Sequence, residues 1–296
     1  MNRINSKEII KKISTFLILA FVFLFFTIAT DNFFAVKNMI NILRQVSILG
    51  ILTAGMTFVI ISGGMDLSVG SQLGLTGVLC AMLISEFGVN DIVSVILAVL
   101  VATAFGVITG LLIVSLNVSA IVITLGMQTV IRGFAYIFSG GIPIYDIPEE
   151  LVFIGQGYIG PIPVPVIIML VIVVIMGFVL HKTYFGRYVY AIGGNVEAAR
   201  LAGVQDNKIL VALYALSGFL AGIAGIILMG RVSSEAPTSG TGTEMEVITA
   251  VIIGGVSING GKGTMVGAFF GALIIGILSN GLTIMNVGQY YQDVIT

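Results

Sequence analysis

An all-α, polytopic transmembrane helix bundle is the fold class this chain predicts, and three observations carry the prediction. Of its 296 residues 57% are hydrophobic and only 9% charged, where a soluble domain carries roughly 25% charged residues. Apolar runs of near-membrane length recur from one end of the chain to the other. The 38 glycines suit closely packed or broken membrane helices better than a soluble core. We read residues 1–296 as one transmembrane domain. The net charge of −1 points to neither a nucleic-acid nor an anionic partner. A lone Cys80 excludes an intrachain disulfide, and His181 is the only histidine, so no Cys/His cluster has metal-ligand spacing.

The runs, in order, are residues 13–30, 46–61, 67–85, 92–115, 119–138, 164–180, 209–230, a short one at 246–257, and 264–282. That makes about nine helices. The first follows Arg3, Lys7, Lys11 and Lys12. It reads as an uncleaved anchor, because it is long and Ile28-Ala29-Thr30 is a poor signal-peptidase site. Lysine and arginine placement then sets a cytoplasmic N-terminus. Counting crossings from there puts Lys182, Arg187, Arg200, Lys208 and Lys262 on the same side, nine of the 13 basic residues in all. The opposite loops carry Glu86, Asp91, Asp146, Glu149, Glu150, Glu235 and Glu244. Nine crossings leave the C-terminus outside, with residues 290–296 placed as if a tenth helix were about to begin.

Between the second and third runs lies Ser62-Gly-Gly-Met-Asp-Leu-Ser-Val-Gly-Ser71. An aspartate inside lipid costs at least about 2.5 kcal/mol, so a plain spanning helix has no reason to hold one. Gly63, Gly64 and Gly70 allow the backbone to break, and Ser62, Ser68 and Ser71 can satisfy polar groups that a break frees. Broken backbone at membrane depth is tolerated only against protein or along a water-filled path. These residues, with Asp66, are therefore the candidate translocation and gating segment. Asp66 has two open roles, capping helix ends or contacting the transported molecule. Arg132, in the fifth run, has two placements, pairing with Asp66 across the bundle or, preferred, snorkelling toward the outer surface.

Glycines four apart, Gly106 and Gly110, Gly218 and Gly222, and Gly263, Gly267 and Gly271, predict close helix–helix contact, chiefly internal. On the inner side, Asn195 has the character of an N-cap, Glu197 lies in the first turn, and Gly203 suits a C-terminal stop. Residues 196–202 thus read as a short helix, with Asn195, Glu197, Ala198, Ala199, Arg200 and Gly203 as candidates for coupling to a soluble motor. Gly254-Gly-Val-Ser-Ile-Asn-Gly-Gly-Lys-Gly263 fails as a phosphate loop, since Val256 and Gly263 stand where the pattern needs Gly and Ser/Thr. No ATP site is legible, and no catalytic residue is assigned.

Several of these stretches together resemble the permease subunits of ribose-type (monosaccharide) ATP-binding cassette importers, within the branched-chain amino acid/sugar permease family. They are Asn32-Phe-Phe, Asn41-Ile-Leu-Arg-Gln45, residues 63–71, Gly186-Arg-Tyr, Ala191-Ile-Gly-Gly-Asn195, Ala236-Pro-Thr-Ser-Gly-Thr-Gly242, Gly254-Gly-Val-Ser and Gly260-Gly-Lys-Gly263. The matches run from about residue 32 to 292. The resemblance implies ten helices, a homodimer around one pathway, and two ATP-binding modules on the cytoplasmic side that use ATP and Mg²⁺. It also implies a soluble or lipid-anchored sugar-binding protein outside and a multi-pass location in the inner membrane. The cargo it implies is a monosaccharide, ribose first, with another pentose, a hexose or an autoinducer furanose as alternatives. Asp146, Glu149, Glu150, Arg231 and Glu235 are then the charged candidates for docking the binding protein. A secondary carrier or channel is the rival, but only Asp66 and Arg132 are placed deep enough for ion coupling; a membrane enzyme lacks a nucleophile, base and metal set.

Overall fold

The computed structural model describes residues 6–288, 291, 292 and 294, with side chains from residue 15 onward. Its helices are α1 (Ser6–Ala29), α2 (Val36–Ile61), α3 (Val69–Ser85), α4 (Asp91–Leu116), α5 (Ala120–Ser139), α6 (Glu149–Gln156), α7 (Val164–Lys182), α8 (Tyr184–Gly194), α9 (Val196–Leu201), α10 (Asp206–Val232), α11 (Thr243–Ile253) and α12 (Met265–Ile284). A two-residue hairpin, β1 (Tyr158–Ile159) with β2 (Ile162–Pro163), pairs antiparallel between α6 and α7. The all-α bundle is as expected. Six of the described helices (α2, α4, α5, α7, α10 and α12) are long and apolar enough to cross a membrane; α3 and Thr15–Ala29 of α1 are shorter apolar helices. The eighth run becomes α11, only 11 residues long and preceded by an irregular stretch. Arg3 and most of the expected tenth-helix start lie outside the described residues.

α2 begins ten residues before its apolar run. Its first three turns hold five polar residues, of which Asn38, Arg44 and Gln45 have partners inside the bundle while Lys37 and Asn41 are exposed. Asn38 and Asn280 exchange two amide hydrogen bonds of 3.0 Å, and Gln45 donates to Ser279 at 3.3 Å. Arg44 donates to the Gln156 carbonyl and lies 4.9 Å over the Tyr158 ring. Paired polar groups are tolerated in a membrane helix that packs on protein rather than on lipid, and α2 is the most enclosed of the six spans.

α2, α3 and α10 form the centre. The glycine pairs do what their spacing implies. A methyl at Gly106 would overlap the Tyr214 carbonyl, one at Gly110 would meet Val211, and one at Gly218 would meet Ala102. α4 and α10 thus interlock through small residues, where dispersion between closely approaching backbones replaces the hydrophobic drive that lipid cannot supply. Gly267 and Gly271 seat α12 against Gly254 and Ala250 in the same way. Gly263, with φ +155°, belongs to the turn before α12 instead.

Candidate functional site

The chain does break where the glycines predict. α2 stops at Ile61, Gly63 takes φ +88°, a region that penalises any Cβ, and α3 starts at Val69. Residues 62–68 between them are held by Asp66, which is fully buried (0% exposed). One carboxylate oxygen accepts from the Ser68 N–H at 3.0 Å and the Ser68 hydroxyl at 2.6 Å. The other accepts from Ser217 on α10 at 2.7 Å. Gln72 donates to the Ser68 hydroxyl at 2.8 Å, and Tyr214 donates to the Met65 carbonyl at 3.3 Å. A carboxylate with both oxygens satisfied in this way is a clasp that fixes a broken backbone to a neighbouring helix. These contacts bind the break to the start of α3 and to α10. Ser62 turns back on Val59, Ser71 is buried with its hydroxyl unpartnered, and Gly70 faces the stretch before α11. Gly64 sits under the Tyr214 hydroxyl, where a Cβ would be 2.6 Å from the oxygen. Ser217 and Tyr214 were not legible as partners, since nothing near them in sequence marks them.

A cleft of about 310 Å³ opens beside this break. Its walls are Ser62, Gly63 and Gly64, the ends of α4 and α5 at Ile113 and Ala120, Leu210 and Tyr214 of α10, and Ile192, Gly193 and Val196 of the α8–α9 turn. Gly193 packs on the Ile61 carbonyl so closely that a side chain would overlap it, and that carbonyl accepts from the Gly261 N–H at 2.8 Å. Two segments, α8 and the turn before α12, therefore converge on the end of α2.

α9 forms as its capping residues predict. The Asn195 side chain accepts from the Ala198 N–H at 2.9 Å, Glu197 lies in the first turn, and Gly203 just beyond the end takes φ +85°. Ala199 is its buried residue, while Glu197, Ala198 and Arg200 are exposed, and Leu201 is 92% exposed. Arg200 donates twice to one Asp206 oxygen, at 2.7 and 3.0 Å, tying α9 to the start of α10. The hydrogen bond to Asp206, then its charge, raises the Arg200 guanidinium above its ordinary value. Leu201 and the helix α8 ahead of it had no signal in a stretch read as polar.

At the other end, Asp146, Glu149 and Glu150 are exposed around the start of α6, and Arg231 is half-buried. Glu235 corrects an expectation. It is 2% exposed, paired by its backbone to Ile144, with its carboxylate against Gly77 of α3. Its side chain is thus turned into the bundle and leaves the docking set; a glycine at 77 gave it the space. Arg132 corrects a second one. It neither meets Asp66 nor snorkels, but donates at 2.6 Å to both the Pro237 and the Ser239 carbonyls. Gln128, one turn earlier, donates to Glu244 at 2.8 Å.

With this geometry in place, residues 38–296 match the family described as branched-chain amino acid transport system / permease component. The chain belongs to that family. It is similar to the ribose import permease protein of Escherichia coli K12, 42% identical over 270 residues that cover 90% of this chain and 84% of the other. The ribose import permease protein of Bacillus subtilis 168 is 41% identical over 295 residues, 99% and 91% of the two chains. The fructose import permease protein of Rhizobium meliloti is 38% identical over 269 residues, 88% and 75%. No solved structure matches. As a permease with this many apolar helices, the protein is a multi-pass membrane protein and a transport subunit.

Proposed function

We propose that this permease is the transmembrane subunit of an ATP-binding cassette importer for a monosaccharide, ribose first. Two copies surround one path in the inner membrane, with the N-terminus in the cytoplasm. A separate ATP-binding protein, using ATP and Mg²⁺, docks at α9, and a sugar-binding protein delivers cargo at the opposite face near Asp146, Glu149 and Glu150. The ribose assignment rests on the two relatives at 42% and 41% identity.

One observation carries the coupling. The cleft at the break is walled on one side by Ser62, Gly63 and Gly64 and on the other by Gly193 and Val196. A displacement of α9 by a motor has no intervening element to cross before it reaches the break. The bare face of α9, with Leu201 at its tip, offers an apolar anchor of the kind that fills a partner's pocket. Rigid movement of α8–α9 then shifts the walls of the cleft and alternates access around the Asp66 clasp.

The test is reconstitution in vesicles with the ATP-binding and sugar-binding proteins, reading ribose uptake and ribose-stimulated ATP hydrolysis. Both activities in the parent support the importer. Leu201→Asp is expected to remove stimulation at least tenfold, about 1.4 kcal/mol of docking, while insertion stays normal. Unchanged stimulation rejects the docking role of α9. Ribose uptake without any ATP-binding protein rejects the importer itself.

A further inference from the structure

The stretch Ala236-Pro-Thr-Ser-Gly-Thr-Gly242 has no role in the mechanism above, yet its position is unusual. It joins α10 to α11 through turns rather than helix. On one side it lies along α3, where Gly70, Gly74 and Gly77 leave room for Gly240, Ser239 and Glu235 respectively. Those glycines span about 10 Å of helix at 1.5 Å per residue, so the stretch runs well down into the bundle. On a second side Arg132, seven residues inside the end of α5, holds two of its carbonyls. Its remaining side is bare: Thr238, Thr241 and Gly242 are exposed, and the exposed Met245 continues the face.

Lipid cannot satisfy an exposed run of turns. At membrane depth such backbone occurs only against protein or along a water-filled path. The chemistry of the bare side favours the path. The Thr241 hydroxyl donates to the Thr238 carbonyl at 2.7 Å and keeps its lone pairs free, and the Thr238 hydroxyl has no partner among the described residues. Those two hydroxyls suit a neutral polyol, which needs donors and acceptors without charge. A cation path would present carboxylates. Here Glu235 (2% exposed) and Glu244 (5% exposed) both turn away, against Gly77 and Gly70.

We infer that the bare side of residues 238–242 lines the sugar path, with the Thr238 and Thr241 hydroxyls meeting sugar hydroxyls and Arg132 as the residue that positions them. This rests on the importer reading. It assigns the substrate-facing surface to the stretch before α11, while the Asp66 break serves as the moving clasp.

The experiment uses Thr238→Cys and Thr241→Cys in the assembled transporter in vesicles, with the parent, whose Cys80 is buried, as blank and Val174→Cys on the exposed apolar face of α7 as the lipid control. Two probes are compared, a positively charged methanethiosulfonate and lipid-soluble N-phenylmaleimide. Because the thiolate is the reactive form and forms in water, the charged probe is expected to modify positions 238 and 241 at least about tenfold faster than 174. Ribose with its binding protein should slow that reaction severalfold. Modification by the lipid-soluble probe alone places the stretch against lipid and overturns the inference. Modification by neither places it in a dry contact between copies and overturns it too. Fast charged labelling that ribose does not slow removes the sugar contact. Uptake by the parent in the same vesicles is read separately, so failure of the importer reading is distinguishable from failure of this one.

Discussion

The bundle holds two interruptions, and they are secured in opposite ways. The break at 62–68 is tied largely by its own residues, with Asp66 accepting from Ser68 two positions along, and Ser217 and Tyr214 reach in from α10. The stretch at 233–242 depends on other helices, with Arg132 of α5 holding it and three glycines of α3 making room. A carboxylate with both oxygens satisfied makes a firm clasp. The first interruption is therefore secured chiefly from within and the second by its neighbours.

Substitutions at four positions break or sharpen that contrast. Asp66→Ala has the largest expected effect, about 3 kcal/mol or more, because it strands the Ser68 and Ser217 donors in a closed interior. A thermal midpoint of the detergent-purified permease should fall steeply, and Asp66→Asn, which keeps an acceptor, should recover part of the loss. Equal midpoints for Asp66→Ala and the parent would remove the clasp. Gly70→Ala comes next, at about 1–3 kcal/mol, since the added methyl overlaps the Gly240 carbonyl and the Glu244 carboxylate. The same midpoint checks it, and protease cleavage between α10 and α11 should appear with it. Arg132→Ala follows at about 2 kcal/mol, from two carbonyls losing a charged donor. Its loss should loosen residues 236–242 in hydrogen exchange while leaving 62–68 protected; equal loosening of both would mean that the interruptions are one unit. Arg200→Ala is the smallest in stability, because the Arg200–Asp206 pair is open to solvent on the arginine side. Stimulated ATP hydrolysis should drop nonetheless, as α9 loses its tie to α10.

The contrast also explains which residues could be read ahead of the fold. Asp66 stood out because a charge between two apolar runs is costly in lipid, and Asn195 because capping is local to one turn. α2 was underestimated because Asn38, Arg44 and Gln45 look like loop residues until Asn280, Gln156 and Ser279 are seen beside them. Glu235 looked like an outer-loop charge for the same reason, its neighbour Gly77 lying far away in sequence.

Composition and local pattern by themselves determine that this is an all-helical membrane bundle, where its apolar runs fall, that the chain breaks near Gly63, and that a capped helix follows Asn195. Each of those depends on residues within a few positions of one another or on the dielectric of lipid. Only the tertiary structure decides that Asp66 binds Ser217, 151 residues away, or that Arg132 holds Pro237 and Ser239, 105 and 107 residues away. Buried polar groups must find partners, and which partner is within reach is set by how the helices pack.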